Sequence, residues 1–262
     1  MGLLDGKRLL ITGVLTKDSI AFAVAQRAEE QGAELVLTGA GRGLSMTERM
    51  AKRLASAPTV LEFDVTQPDH ASKVREWLET DERPLHGALH SIGFAPPSCL
   101  GGDMMGATWD DVGVAMQISA YSLKTLAEAV VPVMTEGASI VGLDFDASVA
   151  WPAYNWMGVA KAALESTSRY LARDLGPKGI RVNLVAAGPI RTLAAKSIPD
   201  FALFEDTWAP RAPLGWDVHD PDPVARTCVA LFSDWLPATT GEIVHVDGGY
   251  HITPVALSGR QQ

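Results

Sequence analysis

The sequence predicts one α/β domain, a doubly wound parallel sheet of about seven strands with helices on both faces. Three observations carry that expectation. Seven short, β-rich apolar runs recur along the 262 residues. Amphipathic stretches with apolar residues three or four apart lie between them. The strands are also too apolar to leave one face wet, which is the mark of parallel pairing with crossover helices.

The elements follow in order. Arg8–Thr12 reads as the first strand, closed by Gly13, and residues 20–31 form a helical pattern through Ile20, Val24 and Ala28 that stops at Gly32. Residues 33–38 and 60–63 are strands around a helix at 46–54, where Met46, Met50 and Leu54 share a face. The strand at 87–90 is followed by a long helical pattern at 109–134. Next come a strand at 139–143, a helix at 159–175, a strand at 180–186, a helix at 224–232 and a last strand at Ile243–Val246. No repeat or linker divides this alternation, so residues 1–262 are expected to form a single Rossmann-type domain, with a loose polar tail at about 254–262.

Composition narrows the function. With 22 Lys and Arg against 31 Asp and Glu, the net charge is −9, which works against phosphate neutralisation, so no nucleic acid is expected. An acidic carrier would need a local basic patch. Cys99 and Cys228 form neither a disulfide framework nor a zinc motif. The apolar stretch after Lys7 and Arg8 is too short for a signal peptide, and no run reaches membrane-spanning length. These features predict a cytoplasmic protein without membrane contact. No metal is expected either, since His86 and His90 would stand about 13 Å apart on a strand.

Ligands of such sheets sit beyond the carboxyl ends of the strands. After the first strand, Gly13 supplies a tight turn, although the second and third glycines of G-x-G-x-x-G are missing. Ser19 is placed as a helix cap, with the N–H groups of Ser19, Ile20 and Ala21 facing a site that fits a pyrophosphate. A capped helix after an ordinary turn is the rival reading. Asp64 is positioned to accept from an adenine amino group while Val65 offers its N–H. Ser91, Ile92 and Gly93 let the backbone approach a nicotinamide ribose. The second strand ends in Thr38-Gly39-Ala40-Gly41-Arg42 without a carboxylate for ribose hydroxyls, and Arg42 could meet a 2′-phosphate, so this stretch leaves NADH and NADPH both open.

Tyr154 and Lys161 are seven residues apart, two helical turns, so they share a face about 10 Å apart along the axis. A phenol can donate to a carbonyl becoming an enolate, and an ammonium can hold a cofactor ribose. A buried tyrosine near a surface lysine is the bland alternative.

In combination these motifs resemble a known family. Gly13-x5-Ser19-Ile20-Ala21, His90-Ser91-Ile92-Gly93-Phe94, Ile118-Ser119-Ala120-Tyr121, Asp144-Phe145, Tyr154-x6-Lys161 and Asn183 to Thr192 look like the NADH-dependent enoyl-acyl-carrier-protein reductases of type II fatty acid synthesis. The likeness runs from about residue 3 to 250 and points to the mycobacterial-type branch, with Phe145 standing where many relatives carry a second tyrosine. The family is a divergent part of the short-chain dehydrogenase/reductase superfamily. Ordinary members use Y-x3-K with a serine thirteen residues before the tyrosine, and Val141 stands there, which disfavours a ketoreductase.

The resemblance implies hydride transfer from NADH to the β-carbon of a trans-2-enoyl thioester, carried on acyl carrier protein or CoA. It implies that Tyr154 steadies the enolate, Lys161 holds the nicotinamide ribose and Phe145 shapes the slot beside the double bond. Ile190 and Thr192 would take the carboxamide and pyrophosphate, and Phe94 and Met157 would line the acyl channel. The substrate-binding loop falls at about 193–208 and is shorter than in the long-chain mycobacterial form, which implies ordinary or short acyl chains. Ala40 replaces an aromatic residue that stacks on adenine in that branch. The long helix at 109–134 suits the pairing by which the superfamily forms homotetramers. An enoyl-thioester reductase of secondary metabolism and a non-catalytic dinucleotide sensor are the alternatives, and retention of Tyr154 and Lys161 weighs against the sensor.

Overall fold

In the computed structural model, which describes residues 2–199 and 201–253, seven parallel strands pair in the order β3-β2-β1-β4-β5-β6-β7. They are β1 (Arg8–Thr12), β2 (Glu34–Gly39), β3 (Thr59–Glu62), β4 (Leu85–His90), β5 (Met134–Asp144), β6 (Arg181–Ala187) and β7 (Ile243–Val246). The predicted tail at 254–262 lies outside the described residues, as does Asp200 within the 193–208 segment.

Alternation within each strand assigns the two faces. In β1, Leu9 and Ile11 pack with α1 (Ile20–Glu30) and α8 (Asp222–Phe232), through Val24, Ala28, Val224 and Phe232. Leu10 faces the other way, toward α3 (His70–Thr80), α5 (Ser122–Val130) and α6 (Asn155–Leu175), through Leu78, Leu126 and Leu164. Each of these leucines is fully or almost fully buried, a contribution of roughly 1.5–3 kcal/mol apiece. Both faces are therefore dry, as the apolar strands predict.

The long helix predicted at 109–134 is broken. α4 (Trp109–Met116) runs into a π turn at Gln117–Tyr121, then α5, then a 3-10 turn at Val131–Val133 that holds Pro132. Proline ends the helix there because it lacks an N–H and crowds the preceding turn. β5 accordingly begins at Met134, five residues before the predicted strand, with a register shift against β4 between Leu85 and Gly87. α2 (Arg42–Ala51) starts four residues ahead of its predicted position. α3 gives little periodic signal in the sequence, because its buried face rests on little more than Val74 and Leu78. The 193–208 segment runs into α7 (Phe201–Arg211), which ends three residues beyond it; Phe201, Phe204 and Trp208 share a stripe while Pro210 signals a break.

Candidate active site

Strand order reverses between β1 and β4, and the cleft opens above their carboxyl ends, as the switch-point rule requires. Gly13, Ser19, Ile20, Ser91, Ile92, Gly93, Phe94, Phe145, Tyr154, Met157, Lys161, Ile190 and Thr192 all line this cleft. Asp64 and Val65 are absent from its lining.

The β1–β4 junction is held by short polar bonds. Thr12 Oγ1 donates to the Leu89 carbonyl at 3.0 Å and accepts from the Ser91 N–H at 2.8 Å. Gly13 has φ of 81°, and a Cβ there would stand 2.1 Å from the Ser91 carbonyl oxygen. Only glycine fits the turn.

The cap expectation for Ser19 is corrected. Its hydroxyl accepts from the Thr16 N–H at 3.0 Å and makes no cap bond to α1, and its own N–H donates to the Thr16 carbonyl. Ile20 and Ala21 keep unpaired N–H groups at the helix start, among the described residues, so the anion-binding character survives without Ser19's amide. Asp64 Oδ1 accepts from the Thr66 N–H at 2.9 Å and the Thr66 hydroxyl at 2.7 Å, a local turn after β3 that leaves Oδ2 outside these two bonds. Arg42 lies exposed at the start of α2.

Phe94 owes its position to a residue to which sequence reasoning gave no role. Ser119, in the π turn, accepts from the Phe94 N–H at 2.9 Å and donates to the Phe94 carbonyl at 2.8 Å. Three residues on, the Ser122 hydroxyl lies 2.7 Å from His90 Nε2 and donates to the Ile118 carbonyl. Burial pushes His90 down to about 3, with the Lys161 charge adding to the effect, so the ring is neutral. Both serines fall within or beside motifs that carried the resemblance, and both are buried.

Tyr154 sits at the mouth of α6 and is buried. Burial raises its phenol well above the usual value, with the Asp144 charge reinforcing the effect, so Tyr154 stays a proton-bearing donor. Asn155 follows it with φ of 46°, a left-handed backbone that strains a non-glycine residue. The buried Lys161 ammonium donates to the Leu143 carbonyl at 3.0 Å.

Phe145 lies against Tyr154, ring centroids 4.7 Å apart. Behind it α7 closes the cleft. Phe204 meets Phe145 edge-on at 5.6 Å, and Trp208 stacks on Tyr250 at 3.8 Å while its Nε1 donates to the Asp247 carbonyl. Arg191 pairs with Glu205, and Arg211 reaches the Tyr250 hydroxyl and the Thr253 carbonyl. The Thr192 hydroxyl accepts from the Ala195 N–H at 3.1 Å, so it caps the next turn while lining the cleft. Trp216 donates to the Pro189 carbonyl at 2.8 Å and steadies the stretch before it. Among the described residues, no three metal-type side chains converge and no helix is long and apolar enough to cross a membrane.

Residues 13–251 match the family model described as Enoyl-(Acyl carrier protein) reductase. The chain belongs to this family. It is 50% identical to an enoyl-[acyl-carrier-protein] reductase [NADH] of Mycolicibacterium smegmatis, over 95% of this chain and 97% of the relative. A reductase of the same name from Mycobacterium avium is 48% identical, over 95% of this chain and 97% of its own. The Neisseria meningitidis relative is 42% identical, over 99% of this chain and all of its own. The resemblance read from the motifs, including its mycobacterial direction, is borne out.

Proposed function

We propose that this reductase uses NADH to saturate trans-2-enoyl thioesters in fatty acid synthesis. The observation that carries the reading is that Tyr154 and Lys161, buried and two turns apart, enter one cleft above the switch point in a chain whose relatives carry that activity in their names. The residues fit a reduced dinucleotide. Gly13 makes the tight turn that carries the chain from β1 past the cleft, and Ile20 and Ala21 offer unpaired N–H groups to a pyrophosphate. Gly93, Ile190 and Thr192 would flank the nicotinamide half, and Lys161 would hold its ribose. Bound there, the cofactor supplies a hydride to the β-carbon.

The chain's own groups do the rest. Tyr154 donates its phenolic hydrogen bond to the thioester oxygen as negative charge collects on it, and burial makes that bond strong by excluding water. Phe145 and Phe204 wall the phenol so that the carbonyl meets it from the cleft side. Protonation at the α-carbon completes the product. Phe94 and Met157 would line the chain's path, and the aromatic packing of α7 behind Tyr154 supports a preference for ordinary or short acyl chains.

The thioester is carried on acyl carrier protein or CoA. Two free buried cysteines, Cys99 and Cys228, accord with a reducing cytoplasm. Exposed Val114, Tyr121, Val159 and Tyr170, on α4, the π turn and α6, support a homotetramer. Mass in solution checks that assembly.

The deciding assay follows NADH and NADPH oxidation with C4 to C16 enoyl-CoA and enoyl-carrier substrates. NADH turnover is expected, with kcat/KM levelling off before C16. Tyr154→Phe is expected to lose about 100-fold or more in kcat with NADH affinity kept. Cofactor binding without turnover on any thioester would favour the sensor and sink this reading.

A further inference from the structure

Asp144 ends β5 with its side chain sealed from solvent, and neither carboxylate oxygen has a hydrogen-bond partner among the described residues. A buried charge left that way is costly unless an opposite charge answers it. The Lys161 ammonium does so, 3.8 Å from Oδ1. That ammonium is itself buried and spends one N–H on the Leu143 carbonyl, so each charge is tenable because of the other.

Of the other groups around the pair, Glu165 also pulls Lys161 up, but less than Asp144 does. Glu165, one turn beyond Lys161 on α6, accepts from the Ala147 N–H at 3.0 Å. Asp146, in the loop after β5, stands 3.8 Å from His245. His90 on β4 is neutral, and the Tyr154 phenol keeps its proton.

Resting on the reductase reading, we propose that Asp144 is a positioning residue, whose carboxylate keeps Lys161 charged and aimed so that the ammonium can hold the ribose of the reduced cofactor. Burial pulls Lys161 down while Asp144 pulls it back up. The converse holds for the acid: burial raises Asp144 to about 7 against the pull of Lys161. With the carboxylate gone, Lys161 loses its proton at lower pH.

Asp144→Asn keeps the shape and removes the charge. NADH Kd, read from tryptophan fluorescence without thioester, is compared between variant and wild type from pH 6 to pH 9. The ratio of variant to wild-type Kd is expected to grow at least tenfold across that range. A ratio that does not change with pH marks a merely structural loss and overturns the proposal.

In a Lys161→Met background, Asp144→Asn is expected to add less than a twofold change in Kd and to melt higher than Asp144→Asn alone. Additive losses would overturn the proposal. If Asp144→Asn fails to fold, the double variant is expected to fold, and its failure too would count against the pairing.

Stability without cofactor separates this idea from the reductase reading. A carboxyl whose folded pKa, about 7, exceeds its ordinary value of 3.8 holds extra protons when folded, so its contribution is full at low pH and is lost as pH rises between those values. Subtracting the Asp144→Asn melting profile is expected to leave that loss. A difference profile flat over this window overturns the proposal, whereas wild type that binds no NADH but shows the loss overturns only the reductase reading.

Discussion

On the β1–β4 side of the cleft, position is set by backbone and small hydroxyls: Gly13 against Ser91, and Thr12 bridging Leu89 and Ser91. On the β5–α7 side it is set by large rings and buried charge: Phe145, Tyr154, Phe204 and Trp208, with Lys161 beneath them. A dinucleotide presents a fixed outline, which suits a close-fitting main chain. An acyl chain varies in length, and side chains on an added helix can vary with it. Apart from the Asp144–Lys161 pair, which serves the cofactor, the two sides should therefore answer mutation in different currencies, the first in cofactor affinity and the second in substrate range.

The sharpest test lies on the backbone side. Gly13→Val drives a branched side chain into the Ser91 carbonyl at a left-handed φ, and NADH affinity is expected to fall at least 100-fold, measured by titration calorimetry. On the other side, Trp208→Ala removes the ring stacked on Tyr250 and the hydrogen bond to Asp247. It is expected to cost about 3–5 kcal/mol by denaturant unfolding. Its NADH Kd should stay within about threefold while longer enoyl chains gain in kcat/KM. If cofactor affinity falls as far as for Gly13→Val, the division between the two sides is wrong.

The smallest effect tests the boundary between them. Ser119→Ala breaks both bonds to Phe94, worth about 1 kcal/mol each. It is expected to raise KM for the thioester several-fold, with kcat nearly unchanged. A change confined to NADH binding would move Phe94 to the cofactor side.

The same division governs what could be read from the sequence. Seven strands, the glycine turn and the Tyr154–Lys161 spacing depend on neighbours along the chain, and all were legible. The turn that Thr66 makes on Asp64 Oδ1 was not legible, because Asp64 was read only toward a ligand and not toward its own chain neighbour. α7 was hidden by Pro210, which lies inside the helix and reads as a breaker in the sequence. Asp144 was visible only as part of a motif. Its isolation from hydrogen bonds is a property of packing, created by elements far apart in the chain.

The π turn at Gln117–Tyr121 has a geometric consequence for the whole domain. An α-helix advances about 100° per residue, so the extra residue accommodated in a π turn puts the segments on either side out of phase with each other. Before the turn, Val112 and Ala115 pack with Ala95 and Cys99 beside the cleft, whereas after it Leu123, Leu126 and Val130 pack on the sheet. A regular helix would have continued a single stripe. The turn acts as a gear between two axles, letting one continuous stretch of chain brace the sheet with one end while steadying the cleft wall with the other.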